Sequence, residues 1–145
     1  MPKIVIPGNH DWGLIPKDYN ARSIANQQEF VDGWAAGNAE FIPKNGCMGP
    51  TVRVLSEGDE GAGDVVLIAF DPTPWIMPRI REACPGVDTT DDADRVAYLE
   101  ALDAALTRHA DDRVIAASHY PMLTGGGGEP TKNRELFNSR LAWNW

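Results

Sequence analysis

An almost wholly apolar run, Val65–Phe70, is followed by an amphipathic segment, Asp91–His109, and then by a second apolar run, Arg113–Ser118. The first run has the composition of an inner strand, whose two faces are both covered. Asp91–His109 repeats Val96, Leu99, Leu102 and Leu106 at helical spacing with alanines between them, and Asp91, Asp92 and Asp94 suit the positive end of a helix dipole. Arg113–Ser118 reads as another buried-type strand. Strand, helix and strand in this order predict a layered α/β sheet, in which ligands gather at the loops that follow the strands. Two more strands are predicted at Lys3–Pro7, which Pro7-Gly8 breaks, and at Thr51–Leu55. Ser23–Trp34 is predicted to be a helix with Ile24, Phe30, Val31 and Trp34 on one side. Ser56–Asp64 reads as a polar, Gly-rich turn and Gly125–Pro130 as a flexible loop.

Two of these strands end on side chains that can do chemistry. Ile4-Val5-Ile6-Pro7 runs into Gly8-Asn9-His10-Asp11. Glycine permits a tight turn there, and the strand fixes the loop that follows it. An Asn carbonyl is a neutral oxygen ligand for a divalent ion, and a neighbouring His can protonate a leaving alkoxide or stabilise charge on a phosphoryl group. The same four residues also make ordinary turn chemistry. The second motif is Val114-Ile115-Ala116-Ala117-Ser118-His119-Tyr120-Pro121. A His where an apolar strand stops is placed to ligate an ion at the sheet's edge, although a lone His is more often structural. His109, at the polar end of the long helix, fits that structural role and is assigned no catalytic one.

The chain's 145 residues suffice for one domain with a real core. Its net charge of -8, with Lys and Arg scattered, argues against a nucleic-acid partner. An acidic chain can still handle a small phosphate ester if metal ions supply positive charge locally. No apolar run approaches the ~20 residues that cross a bilayer, and Met1–Pro7 is too short for a secretory signal. Cys47 and Cys84 are compatible with one disulfide or with two free thiols, which leaves the compartment open.

Taken together, the two strand-end motifs resemble the calcineurin-like metallophosphoesterases, the superfamily that includes purple acid phosphatases. Their motif order is Asp-x-His, Gly-Asp-x-x-Asp, Gly-Asn-His-Asp/Glu, a strand-end His and finally Gly-His-x-His. Gly8-Asn9-His10-Asp11 matches the third element, and Ala116-Ala117-Ser118-His119-Tyr120-Pro121 is similar to the fourth, with Ser118 where relatives usually carry Gly. Phe41–Pro50 and Val66–Trp75 resemble segments of a bacterial branch, so the likeness runs from about Ile4 to about Gly128. The resemblance implies a four-layer αββα sandwich, two sheets face to face with helices outside. It also implies two divalent or trivalent metal ions (iron, zinc or manganese), with Asn9 and His119 as ligands of the second. His10 would sit beside the ester oxygen as proton donor or charge stabiliser. Asp11 would orient the loop, or act as a capping carboxylate.

The first, second and fifth motifs have no counterpart in residues 1–145. The chain is therefore expected to be a partial domain, the central part of the sandwich, truncated at both ends; Trp143 and Trp145 at its end fit that expectation. The parent domain is expected to hydrolyse a small-molecule phosphate ester, and this chain alone to be inactive. Asp71 or Asp88 are candidates for recruitment as extra ligands, and Trp12, Trp75 and Gly125–Gly128 for lining the site. One alternative is a non-catalytic relative that kept the scaffold and binds a partner. The other is an enzyme assembled from two chains, with the missing motifs supplied in trans.

Overall fold

A computed structural model describes residues 2–13, 18–59, 61–77, 80 and 84–120. The fold is α/β. Strand Lys3–Val5 (β1) pairs in parallel with Ala39–Phe41 (β2), and between them run a 3-10 turn, Asn9–Trp12, and helix Ala21–Ala35 (α1). Thr51–Ser56 (β3) and Val65–Ala69 (β4) form an antiparallel hairpin with an irregularity beside Ser56. Arg113–Ala117 (β5) then lies parallel to β4, which gives the order β3-β4-β5. The crossover between β4 and β5 holds a short helix, Thr73–Ile76 (α2), and a long one, Asp92–Arg108 (α3).

The predicted boundaries of α3 are explained by its caps. The Asp91 side chain accepts from Ala93 N at 2.8 Å, and Asp92 and Asp94 occupy the first turn. At the other end His109 closes the helix, its backbone N–H meeting Leu106 O and its Nδ1 lying 2.7 Å from Asp112 Oδ2. That hydrogen bond from His109 holds the Asp112 carboxyl below its usual range. His109 therefore has the structural place that its sequence position suggested.

Alternation along β4 fixes what lies on each side of the three-stranded sheet. Val66 and Ile68 pack with Leu102 and Ala105 of α3, and Leu67 and Ala69 pack with Ile42, Ile4 and Ile6 of the β1–β2 side. Both faces of β4 are covered, as its apolar run requires. On the far side of β1–β2, Ile24 of α1 packs with Trp12, Phe41 and Ile80. The sheets are also joined by an ion pair, because Arg53 of β3 donates from Nε to Glu40 Oε2 of β2 at 3.0 Å. The Arg53 hydrogen bond, foremost, holds the Glu40 carboxyl below its usual value of 4.5. A lowered folded-state value stabilises above the unfolded pKa and is lost as pH falls through the folded one. Arg53 is 40% exposed at its side chain, so Glu40→Gln is expected to cost no more than about 1 kcal/mol at pH 7. Urea melts at descending pH should show that gap closing below 4.5.

Two expectations change and one open alternative closes. Phe30 and Trp34 do not share the buried side of α1 with Ile24: they are 65% and 75% exposed and stack on each other at 6.3 Å. At 100° per residue they lie roughly 80–120° away from the Ile24–Val31 line. Strand β5 is not buried like β4. It is the edge of the three-stranded sheet among the described residues, and Ile115, which shares the Ala117 face, is 49% exposed. Cys47 and Cys84, left open by the sequence, form a disulfide. Pro121, the Gly125–Pro130 loop, Trp143 and Trp145 lie outside the described residues. Among the described residues no helix is long and apolar enough to cross a membrane.

Candidate functional site

Three strands deliver polar residues to one region: β1 leads to Asn9, β4 to Asp71 and β5 to His119. The reason is register. Ala69 lies opposite Ala117 in the parallel pair, and Phe70 N donates to Ala117 O at 3.0 Å, so β4 and β5 end together. Ile42 N donates to Val5 O at 2.9 Å, which holds the end of β1 beside the segment that follows β2.

The two motifs read separately in the sequence meet in space. His119 Nε2 lies 2.9 Å from Asn9 Oδ1, across 110 residues of chain. The imidazole rests on Gly8, where an added Cβ would come within 3.0 Å of Nδ1 and 3.2 Å of Cγ and Cε1. Gly8 has φ -109° and ψ 176°, an extended backbone that any residue can adopt. Its glycine thus serves the close approach of the His119 ring, whereas the sequence had suggested a tight turn. Gly8→Ala is expected to move the ring a few tenths of an ångström and to weaken the Asn9–His119 contact with little loss of stability. Histidine ring ¹⁵N shifts beside a thermal melt check this.

Asp11 shapes the loop. Its Oδ2 accepts from Gly8 N at 2.6 Å, and its carbonyl accepts from Gln27 Nε2 of α1 at 3.0 Å. The orienting and the capping roles foreseen for Asp11 are one and the same hydrogen bond. His10 follows Asn9 on the turn and is exposed. The ring of Tyr120 meets His119 edge-on at 5.3 Å, and burial, then the charges of Tyr19 and Asp71, push its phenol up to about 12. Tyr120 is consequently neutral at physiological pH.

Beneath the loop, Trp12 and Asp71 are both fully buried. Trp12 Nε1 donates to Asp71 Oδ2 at 2.8 Å, while Thr73 donates to Asp71 Oδ1 from its backbone N, at 2.9 Å, and from its hydroxyl. Burial raises the Asp71 carboxyl above its ordinary range, and the hydrogen bonds from Thr73 and Trp12 partly offset that rise. Trp12 is therefore core beneath the site and not part of its lining. Trp75 is half-buried beside Met48, Tyr98 and Leu99. Asp88 belongs to a different place, an open cavity of about 980 Å³ lined also by Arg22 and Cys84, where its Oδ1 accepts from Thr90 N at 2.8 Å. Asp71, in the sequence a candidate extra ligand only, carries the same signal as Asn9 and His119, a polar residue just after an apolar strand. Ser118 Oγ, in the position where the resemblance has Gly, is buried without a hydrogen-bond partner among the described residues.

Among the described residues, no group of three or more His, Cys, Asp or Glu is arranged to hold a metal ion. Asn9 and His119 nevertheless fit as neighbours in a ligand set. Two adjacent ligands at bond lengths of ~2.1 Å on an octahedral ion stand ~3.0 Å apart, close to the 2.9 Å between Oδ1 and Nε2. Both are neutral, so they hold an ion weakly unless a carboxylate joins them.

No family model, curated protein or solved structure matches the chain.

Proposed function

We propose that this chain carries part of the active site of a calcineurin-like, metal-dependent phosphoesterase whose substrate is a small phosphate ester. The carrying observation is the 2.9 Å contact between Asn9 Oδ1 and His119 Nε2. It joins the two motifs of the resemblance at the strand ends where an α/β sheet receives ligands. The packing order α1, β1–β2, β3–β4–β5, α3 supports the same reading, since it corresponds to the helix, sheet, sheet, helix order of the αββα sandwich.

In this reading Asn9 and His119 hold one ion of a pair, iron, zinc or manganese. Bound metal supplies positive charge on the phosphoryl oxygens and a water acidic enough to attack at neutral pH. Exposed His10, next to Asn9, gives a proton to the leaving oxygen or steadies its charge. The hydrogen bond from Gly8 N to Asp11 keeps the turn folded so that Asn9 and His10 stay at the strand end. Among the described residues the site has two neutral ligands but no bridging carboxylate, so we propose that the described part alone does not turn over substrate.

Calorimetric titration with Mn²⁺ and Zn²⁺ tests this. Binding is expected to be weak, to disappear in Asn9→Ala and His119→Ala, and to persist in His109→Ala. In any assembly that hydrolyses an aryl phosphate, His10→Ala should lower turnover by about 10²–10⁴-fold and leave metal binding in place. Metal binding indifferent to Asn9 and His119 would leave the other reading, a scaffold that binds a partner without catalysis.

A further inference from the structure

The halves of the site belong to different sheets. Asn9 and His10 stand on the 3-10 turn after β1, in the two-stranded sheet, and His119 follows β5, in the three-stranded one. A contact of 2.9 Å between them survives only if something sets the spacing of the sheets locally, because an exposed pair of side chains gains little by itself. Asp71 stands at that junction. Its backbone continues β4 through Phe70, whose N–H donates to Ala117 O, two residues before His119. Its own N–H donates to Met48 O at 2.8 Å. Its carboxylate takes the indole N–H of Trp12, the last residue of the turn that bears Asn9 and His10.

We infer that Asp71 is a positioning residue, which through Trp12 locks the Asn9–His10 turn of one sheet against His119 of the other. The inference rests on the reading of Asn9, His10 and His119 as a metal site. A carboxylate with 0% exposure is costly, and packing alone would be served as well by an apolar side chain of that size. What an apolar side chain would not give is direction. Asp71 Oδ1 is pinned by both donors of Thr73, which leaves Oδ2 aimed at Trp12. Groups that orient ligands in this indirect way affect metal affinity by about 10–100-fold.

The test uses the full chain, ¹⁵N-labelled, without metal and then with Mn²⁺. Trp12→Phe keeps an aromatic ring and removes the N–H donor, and Asp71→Asn weakens the acceptor. In the metal-free protein, Asn9→Ala is expected to move the His119 ring signals. Trp12→Phe and Asp71→Asn should move them the same way, with the His109 signals unchanged. With Mn²⁺, each of the two should lower affinity about tenfold or more, and the double variant no further than the worse single one. His119 signals that stay at wild-type values in folded Trp12→Phe and Asp71→Asn, while Asn9→Ala shifts them, overturn the inference. So does an Asn9→Ala that leaves His119 unmoved, since there is then no contact to position. If the wild type binds no Mn²⁺ but the metal-free shifts are seen, the phosphoesterase reading fails and the positioning role stands. Should Asp71→Asn not fold, Trp12→Phe carries the test. Should neither fold, exchange of the Trp12 indole N–H in wild type decides, slow exchange being expected and free exchange overturning the inference.

Discussion

Trp12→Ala is expected to destabilise the fold by about 3–5 kcal/mol, the range for emptying a buried aromatic site. Trp12 is fully buried and packs with Ile24, Phe41 and Ile80, so its removal leaves a cavity where α1 meets β2. The loss also deprives Asp71 Oδ2 of its indole donor at 2.8 Å. An acceptor left short in a buried place costs about 1–3 kcal/mol more, although the two effects share one site and do not simply add. Since domains are commonly stable by only about 5–15 kcal/mol, the variant should sit near the edge of folding. Urea denaturation followed by far-ultraviolet circular dichroism gives the measurement. An unchanged midpoint would mean that Trp12 does not fill the core as described.

Breaking the Cys47–Cys84 bond is the second large perturbation. The cysteines are 37 residues apart, and loop-closure entropy for a ring of that size gives roughly 4 kcal/mol, with about 2–4 kcal/mol the usual outcome. The double variant Cys47→Ser/Cys84→Ser should therefore unfold at markedly lower denaturant than the oxidised protein, and reduction of the wild type should reproduce the drop. The effect should also reach the site, because Met48, next to Cys47, accepts the backbone N–H of Asp71 at 2.8 Å. His119 ring signals that shift on reduction would report that link. Coincident melts with and without reductant would contradict the bond's stabilising role.

The longer elements were legible because their patterns are local. α3 was bounded within one residue, since Asp91 caps it and His109 closes it, and both residues carry these roles in their chemistry. β4 was legible as an inner strand because an apolar run of its length has few other homes. β5 has a similar composition, yet among the described residues it lies at an edge, because burial of a strand depends on its neighbours and not on its own residues. β2 is only Ala39–Phe41, too short to show any period. The exposure of Phe30 and Trp34 is not legible in the sequence either, since their spacing matches an apolar face and only the docking of Ile24 shows which face is inward. At the site, Asn9, His10 and His119 stood out as strand-end residues, and the structure brings Asn9 and His119 into contact. The pairing of Asp71 with Trp12 spans 59 residues, and nothing local marks two such residues as partners.

The chain has three histidines, which allows one measurement to address the proposed site directly. Mn²⁺ is titrated into the ¹⁵N-labelled protein, and the three imidazole rings are followed by proton–nitrogen correlation spectra. His119 and His10 flank Asn9, whereas His109 precedes the opposite end of β5, a strand of five residues and so about 16 Å long. Selective broadening of His119 and His10 at the lowest Mn²⁺ additions, with His109 sharp and the effect gone in Asn9→Ala, is the expected result. Equal broadening of all three rings, or a His119 signal that stays sharp throughout, would contradict a metal site built on Asn9 and His119.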